Sequence, residues 1–588
     1  MQHRGFFTAL LLFFITSSLF SFDFNSTKYL SLHDNRYWHT LLHFKNGKSE
    51  VDDENFFLSP KGKTNPKAEL KALVEALLSE YNQSLLCRFP ARINWLLKEL
   101  PSLKGKSQQY SCNELEKIIK EYDPKYLSLI FPTAHINSPA SMYGHTFLRV
   151  DSDKKTPLIS NAIDYAAITD ETNGFLYAYN GLSGNYEGRY SITSYYDKIK
   201  EYNDMERRDI WEYELNLTQE EIKLLLYHQF EFRDIYADYF FFNENCSYNL
   251  LWLFESAREG VVLIDDFSIK AIPIDTIRAV KKAGFIDGVV YRPSKTKKMQ
   301  EIFKKIDNKK IANKFLKSDY NLELLKPLRD RQKAYTLDLA TEMLRFNRAK
   351  NRVEKKHYIA NLMKILQERS KIDGDIKYPV KKPINPLTGH KSDRVTIGTS
   401  NRGDISFSYK PAFHDIYDLD TGFIEGAYIN FFDFEMLKRE LKDIKFEKFD
   451  IINISSYALR DDLFAPLSWS IIAGFKRDYR DKMQFRIDGG VGRSYKNMGF
   501  LYYLFLNPAL YYGKDVSVSI APKIGIIRNF SNQKFGFSAK REFFSYGDKI
   551  DNFELFLTQR LSKEIALNVK YNITDSEKRA ILTLFYYF

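Results

Sequence analysis

Residues 394–588 constrain the fold of this chain more than any other stretch, because their apolar residues alternate with polar ones over long runs. A repeat of two residues is that of a β-strand with one apolar face. Polar turns, such as 531–534 and 574–578, separate the runs. Strands of roughly ten residues that alternate in this way are typical of a membrane β-barrel, and we count about twelve of them. The clearest runs are 404–410, 467–475, 483–488, 516–520 and 565–571.

A soluble β-sandwich would alternate in the same way, so the direction of the apolar face distinguishes the two folds. A sandwich buries that face, whereas a barrel exposes it to lipid and carries aromatic residues at both interfaces. In the final run, Leu582, Leu584, Tyr586 and Phe588 share one face. A last strand that ends in Phe resembles the C-terminal signal of outer-membrane barrels. We therefore predict an all-β transmembrane barrel of about twelve strands over 394–588.

The N-terminal segment predicts export. His3 and Arg4 form a short basic region, an apolar stretch covers 6–20, and Ser21 follows. This order is that of a secretory signal peptide, which we assign to residues 1–21. No later run reaches the ~20 apolar residues that a membrane-spanning helix needs. We therefore expect the chain in the outer membrane of a Gram-negative bacterium, with its N-terminal part in the periplasm.

Between these ends the chain changes character twice. Residues 22–125 show helical periodicity, 126–262 mix short strands with helices, and 263–393 form a basic, mostly helical connector. The net charge is +12, and the lysine density of the connector is compatible with nucleic acid. An exported chain rarely meets nucleic acid, so we interpret the connector as a solvated helical face. Contact with anionic lipid headgroups is the alternative.

The three cysteines are an odd number for an exported protein. Paired cysteines form disulfides outside the cytosol. Cys87 and Cys112 lie in one helical region and could form such a bond, which would leave Cys246 over. Cys246 is then either a buried structural residue or a reactive thiol.

The sequence around Cys246 favours a reactive thiol. Asn245 is a favourable N-cap residue, so we predict a helix whose first turn contains Cys246. A helix N-terminus stabilises a thiolate. His145, which opens a predicted strand, is the natural base for that thiol. A strand antiparallel to it would carry Asp164 and Asn161, either of which could orient the imidazole.

Several stretches within 127–260 resemble, in fixed order, the Lnb N-terminal periplasmic domain family. They include SPASMYGHTFLRVD, NAIDYAA, YAYNGLSGNYEGRYS, RRDIWEYELNLT and FFNENCSYNLL. This family is similar to the circularly permuted NlpC-type thiol enzymes, and its named member is a bacterial lipoprotein N-acyltransferase. The resemblance implies a papain-like α+β fold with helical flanks, with His145 as the base and Cys246 as the nucleophile. It implies Asp164 at a position where Asn or Asp is expected.

The sequence thus predicts a periplasmic thiol domain tethered by an outer-membrane barrel. The expected chemistry is acyl transfer or acyl hydrolysis through a thioester, with a phospholipid or lipoprotein as substrate and without cofactor, metal or nucleic acid. One alternative is a cell-wall amidase or endopeptidase that uses the same dyad. The other is a porin or assembly factor with an inert periplasmic domain. The sequence does not indicate an oligomeric state.

Overall fold

The structure is a computed structural model, and it describes residues 23–79, 87–103, 112–134, 142–154, 156–439, 444–477, 481–514, 516–575 and 577–588. The predicted signal peptide, 1–21, lies outside the described residues. Contacts divide the chain into two compact units. The first contains the described parts of 1–131, 146–199 and 211–290, and the second those of 132–145, 200–210 and 291–588.

The first unit mixes helices and strands. Its described helices are α1 Thr27–Leu32, α2 Arg36–Leu41, α3 Pro66–Leu78, α4 Pro90–Glu99, α5 Asn113–Tyr122, α6 Gly174–Ser183, α7 Tyr195–Ile199, α8 Gln219–Glu231, α9 Cys246–Ala257 and α10 Pro273–Lys282. The strands that belong wholly or mainly to it are β1 Phe44–Lys45, β2 Lys48–Ser49, β3 Tyr126–Pro132, β4 Phe147–Asp151, β5 Asn161–Ile168, β6 Tyr186–Ser194, β7 Ile210–Leu215, β8 Ala237–Tyr239 and β9 Ile286–Arg292.

Seven of these strands form one sheet in the order β8-β6-β5-β4-β3-β7-β9. Strand β5, which carries Asp164, pairs antiparallel with β4, as the sequence predicted. Helix α8 starts at a capping box in which Thr218 and Glu221 each bond the backbone of the other. The mixed helix and sheet content confirms the α+β class, while the papain-like arrangement itself stays a prediction.

A disulfide and an aromatic core hold the N-terminal helices together. Cys87 and Cys112 are bonded, with their Cα atoms 5.2 Å apart, and Cys246 is in no disulfide. The rings of Trp38 and Trp95 stack with centroids 5.3 Å apart inside a cluster of buried apolar side chains. The structure therefore forms the disulfide that the sequence left open.

The second unit begins with the basic connector. Its described helices are α11 Lys295–Lys304, α12 Lys309–Lys317, α13 Asp330–Ala349 and α14 Lys355–Arg369. Their apolar side chains form two buried clusters, one of which includes Phe346 and Phe464. Lysines such as Lys304 and Lys326 expose 67% and 71% of their side chains. These lysines therefore lie on the surface, and the choice between a solvated face and contact with lipid headgroups stays a prediction. Among the described helices, none has both the length and the hydropathy needed to cross a membrane.

The rest of the second unit is a barrel. Its strands are β10 Arg394–Ser400, β11 Ile405–Lys410, β12 Ala412–His414, β13 Ala427–Lys438, β14 Ile444–Ser456, β15 Ser468–Arg477, β16 Met483–Asn497, β17 Phe500–Tyr512, β18 Val516–Asn529, β19 Gln533–Phe544, β20 Lys549–Arg560, β21 Ile565–Thr574 and β22 Glu577–Tyr587. Strand β10 pairs with β22 and β11, and both β11 and β12 pair with β13. Because β11 and β12 form one interrupted strand, the sheet closes with the predicted twelve strands.

The direction of the apolar face identifies the kind of barrel. On β17, Tyr502, Leu504 and Leu506 are 42%, 57% and 44% exposed, whereas Tyr503 and Phe505 on the other face are 5% and 3% exposed. Large apolar side chains thus point away from the lumen along this strand. A closed sheet with an apolar exterior is the form in which strands cross a membrane, because every backbone polar group is paired.

Residues 415–423, which we call the lumen segment, leave the wall between β12 and β13 and contact inward-facing side chains around the barrel. Arg394 of β10 pairs with Asp415 and Asp418. Lys534 of β19 donates to the carbonyl of Asp418 at 2.7 Å. The segment also forms hydrogen bonds with side chains of β20 and β22. Its Ile416 packs against a buried, mainly aromatic cluster of barrel side chains. A twelve-strand barrel is wider than the eight-strand barrels that wall side chains alone fill, and the lumen segment occupies this extra space.

We expect this segment to prevent conduction. The full chain in a planar bilayer should show no stepwise current. Replacement of 416–421 by a Gly/Ser segment of the same length should raise the current about tenfold or more, because it removes the side chains that cross the lumen. The matched control replaces the turn 561–564 at the same end of the barrel. Porin-like steps from the unaltered chain would contradict the prediction.

Candidate functional site

Cys246 is the first residue of α9, as the sequence predicted. The side chain of Asn245 accepts from the backbone N–H of Ser247 at 3.0 Å and from that of Tyr248 at 3.2 Å. Its amide nitrogen donates to the carbonyl of Ala271 at 2.7 Å. The Asn245 side chain therefore caps α9 through its oxygen and is fixed to the chain at Ala271 through its nitrogen. The residue Cys246 is only 2% exposed, so the helix terminus favours a thiolate while burial opposes it.

Tyr239, the last residue of β8, meets the start of the same helix. The backbone N–H of Cys246 donates to the Tyr239 hydroxyl at 3.2 Å. Burial raises the pKa of Tyr239 well above its ordinary value, so its hydroxyl stays protonated at neutral pH. Sequence reasoning missed this residue, because it opens the aromatic run 239–242 and nothing in that run distinguishes it.

The other predicted residues are placed as follows. Asp164 lies on β5 in the first unit, is 1% exposed, and pairs with the ammonium of Lys198 at 2.6 Å. His145 lies two residues before β4, belongs to the second unit, and has its ring centroid 5.6 Å from that of Tyr202. Cys246 belongs to the first unit. The structure thus brings Asp164 to a lysine, and the pairing of His145 with Cys246 stays a prediction.

A cavity of about 310 Å³ lies beside the start of α9 and is lined in part by Asn243, Glu244 and Tyr248. Four of its lining residues are acidic and two are lysines; they are Glu50, Asp52, Asp238, Glu244, Lys45 and Lys48. The Tyr248 hydroxyl donates to both carboxylate oxygens of Glu50, at 2.8 and 2.9 Å. Lys63, outside the lining, pairs with Asp52 at 2.9 Å, so carboxyl groups outnumber ammonium groups by four to three, which gives a small preference for a cationic group over an anionic one.

Crowding of the carboxylates changes their protonation. Burial, together with the charges of Glu50, Asp52 and Asp238, raises the pKa of Glu244 to about 7. Burial and the charge of Asp52 also raise the pKa of Asp238. At neutral pH this cavity thus holds a carboxyl group that exchanges its proton.

We predict that Glu244 makes the first unit less stable as pH rises. Between its ordinary value of 4.5 and about 7, the folded state keeps a proton that the unfolded state has lost, so stability falls across that window. Glu244→Gln should remove this slope and stabilise the unit at pH 8 by about 1–3 kcal/mol. Thermal melts followed by tryptophan fluorescence would measure it. Glu75→Gln, at an exposed side chain, is the control. An unchanged slope would contradict the prediction.

One group within the described part of the chain has metal-ligand spacing. Ligand atoms of His390, His414 and Asp418 lie within 4.8 Å of one another in the barrel. The two imidazoles contact each other at 3.0 Å, and the Asp418 carboxylate already accepts from Arg394 and Lys410. A divalent ion would have to displace a bound cation from that carboxylate. We therefore assign no metal to this group.

The fold and the sequence comparisons define the chain as an outer-membrane β-barrel protein with a periplasmic domain. Residues 114–283 match the Lnb N-terminal periplasmic domain, as the motifs predicted, so the chain carries a domain of that family. Residues 30–99, 289–380 and 383–587 match domains of unknown function, DUF7843, DUF7842 and DUF7840 respectively. No curated protein matches the chain.

Several solved porin structures are similar to about a third of this chain. The KdgM porin is 10% identical over 33% of this chain and 98% of its own, with a TM-score of 0.23. The NanC porin is 8% identical over 34% of this chain and 99% of its own, with a TM-score of 0.24. OmpT of Vibrio cholerae is 8% identical over 33% of this chain and 95% of its own, with a TM-score of 0.18. The barrel assignment itself rests on the strand pairing of this chain.

Proposed function

We propose that the periplasmic part of this chain is a thiol-dependent acyltransferase or acyl hydrolase. The acyl groups would come from phospholipid or lipoprotein. The observation that carries the proposal is the position of Cys246, a cysteine outside any disulfide, at the capped N-terminus of α9 and inside the segment that matches the Lnb domain. The other two cysteines are bonded to each other, so Cys246 is the residue that remains for thiol chemistry.

The proposed reaction has two steps. His145 takes the thiol proton of Cys246, and the thiolate attacks the ester carbonyl. The tetrahedral intermediate collapses, the alkoxide leaves with a proton from His145, and a thioester remains on Cys246. An amine or water then gives its proton to His145, attacks the thioester and releases Cys246. The imidazole must lie within hydrogen-bond reach of the thiol for both steps.

The acidic cavity beside α9 supports an amine-bearing substrate. Its carboxylates would attract a protonated amine, either of an acyl acceptor or of a phospholipid headgroup. An amine attacks a thioester only in its neutral form, so a carboxyl group with a pKa of about 7, such as that of Glu244, could accept the proton that is lost. This supports transfer to an amine over hydrolysis.

We assign Tyr239 to the oxyanion. The N–H groups of Cys246, Ser247 and Tyr248 already have acceptors, since the first donates to Tyr239 and the other two to Asn245. The hydroxyl of Tyr239 accepts from Cys246 and still has its own proton to donate. The Tyr239 hydroxyl would donate a hydrogen bond to the oxyanion that develops next to the sulfur.

Tyr239→Phe should lower the turnover of phospholipid by about 10²–10³-fold, because one oxyanion donor is lost. The matched control is Tyr165→Phe. Tyr165 stacks 5.9 Å from Tyr239, and its buried hydroxyl has no hydrogen-bond partner among the described residues. The control should keep nearly full turnover. Equal losses in the two variants would assign Tyr239 to packing.

The proposal is tested by the intact mass of the purified chain after incubation with phospholipid. We expect the mass of one acyl group, removed by hydroxylamine and located on Cys246 by peptide analysis. Release of muropeptides from peptidoglycan without an acyl adduct would favour the amidase alternative instead. Absence of both activities in a well-folded chain would overturn the enzyme proposal.

A further inference from the structure

Apart from the cavity beside α9, the structure has a cavity of about 600 Å³ in the barrel lumen, at the end opposite to Arg394 and Tyr587. We call it the outer vestibule. Its lining comes from the ends of β15 to β21 and from the hairpins that join them, including Thr574 next to the turn before β22. We assign the Arg394 end to the periplasm, because the chain runs into β10 there from the periplasmic domain; the outer vestibule then lies at the end that faces the outside of the cell.

The lining of the outer vestibule is strongly basic. Six of its residues are cationic and one, Glu542, is acidic; the cations are Lys476, Arg477, Lys482, Arg486, Lys514 and Lys540. Three aspartates outside the lining lie within 4.0 Å of these cations. When they are counted together with the lining residues, six positive charges face four negative ones. Like charges in a narrow lumen repel one another and focus a positive potential.

The cations are only partly neutralised. Arg486 pairs with Asp450 at 3.0 Å, and Lys540 pairs with Glu542 at 3.0 Å. Neither Lys476 nor Lys514 has a carboxylate within 4.0 Å among the described residues. Both lysines therefore offer an ammonium group to a ligand in the lumen.

The neutral lining suits a ligand with several oxygen atoms. Gln484, Ser517 and Asn552 supply hydrogen-bonding groups, while the rings of Phe544 and Tyr546 stack 5.1 Å apart at the rim. Cavities of a few hundred Å³ with apolar faces and a few polar groups are typical of small-molecule sites. The lumen segment lies at the other end of the same barrel, so a ligand that enters here meets a blocked path.

We propose that the outer vestibule binds a small polyanion, a short chain of units that carry phosphate or carboxylate groups, from outside the cell. Two or more oxyanions along one chain would contact Lys476, Lys514 and Arg486 together, and each added contact would raise the affinity. The site is independent of the thiol chemistry of the periplasmic domain.

The test uses the full chain in detergent and calorimetric titration with three probes: tripolyphosphate, an alginate trimer and neutral maltotriose. Binding of either polyanion, weakened by salt, supports the proposal. If only tripolyphosphate binds, the ligand is a phosphate chain, and if only the alginate trimer binds, it is a carboxylated saccharide. If both bind, the site requires only several negative charges at a suitable spacing. Failure of both to bind, or equal binding of maltotriose, would overturn it.

Variants locate the site. Lys476→Gln with Lys514→Gln should weaken binding by at least about tenfold. The matched control, Lys549→Gln with Lys578→Gln, removes the same charge from exposed lysines at the same end of the barrel but outside the lining. Equal weakening in both pairs would overturn the proposal, because only net charge would then matter. In the unaltered chain, tripolyphosphate should protect Lys476 and Lys514 from acetylation, and this needs no variant to fold.

Discussion

Replacement of Cys246 by alanine should abolish the acyl-enzyme and reduce phospholipid turnover to background, since no other nucleophile is proposed. His145→Ala should cost about 10²–10⁴-fold, the usual contribution of a general base. Because the two residues act as one unit, the double variant should be scarcely worse than Cys246→Ala alone. The measurements are phospholipid turnover and the mass of the acylated chain for each variant.

Folding must be separated from chemistry in this experiment, because the Cys246 thiol is buried. Cys246→Ser keeps the shape of the side chain and should insert and melt like the unaltered chain while losing the thioester. Insertion is followed by the outer-membrane level of the barrel, and the first unit by its tryptophan fluorescence. Full turnover in a folded Cys246→Ala chain would reject the mechanism. A chain that unfolds on every substitution of Cys246 would make it a core residue.

Asp164 requires a separate control, because its carboxylate pairs with Lys198. If Asp164 orients the imidazole, Asp164→Asn should lower turnover less than His145→Ala and shift the pH profile of kcat/KM. Lys198→Met breaks the same ion pair and should leave that profile in place. The same loss without a pH shift in both variants would limit Asp164 to a structural role.

Arg92→Met should destabilise the first unit by about 3–5 kcal/mol, because it leaves two buried carboxylates without their cation. Arg92 contacts Glu69 at 3.1 Å and Glu231 at 3.3 Å, and none of the three side chains is exposed. Burial lowers the pKa of the adjacent His228, so this imidazole cannot supply the missing charge at neutral pH. Such a loss is comparable to the whole stability of many domains.

Tryptophan fluorescence suits this measurement, since four of the five tryptophans are buried in the first unit: Trp38, Trp95, Trp211 and Trp252. The control is Lys98→Met on the same helix, α4. Lys98 pairs with Glu259 at 2.9 Å, but both side chains are largely exposed, so we expect a loss below about 1 kcal/mol. Similar melting temperatures for the two variants would show that the Arg92 network contributes no more than a surface pair.

Much of the architecture follows from local patterns. The two-residue alternation over 394–588 predicted a barrel of about twelve strands. The period of a strand is a local property, and the residues of its apolar face can be recognised within each strand from their alternation. Asn245 predicted the start of α9 in the same way, since an N-cap acts on the backbone within three residues. The Lnb motifs likewise marked the segment that the family comparison matches.

Other features depend on contacts that no local pattern encodes. The lumen segment follows β12 as an ordinary loop would, and only closure of the barrel places it against β10, β19, β20 and β22. The outer vestibule gathers lysines from strands far apart in sequence, and strand register decides which of them meet. Sequence alone thus determined the elements and the facing of their side chains, because these depend on near neighbours. The tertiary structure alone decided which side chains share a site, such as Tyr239 with the N–H of Cys246 or Arg92 with two carboxylates, because such meetings depend on packing between distant segments.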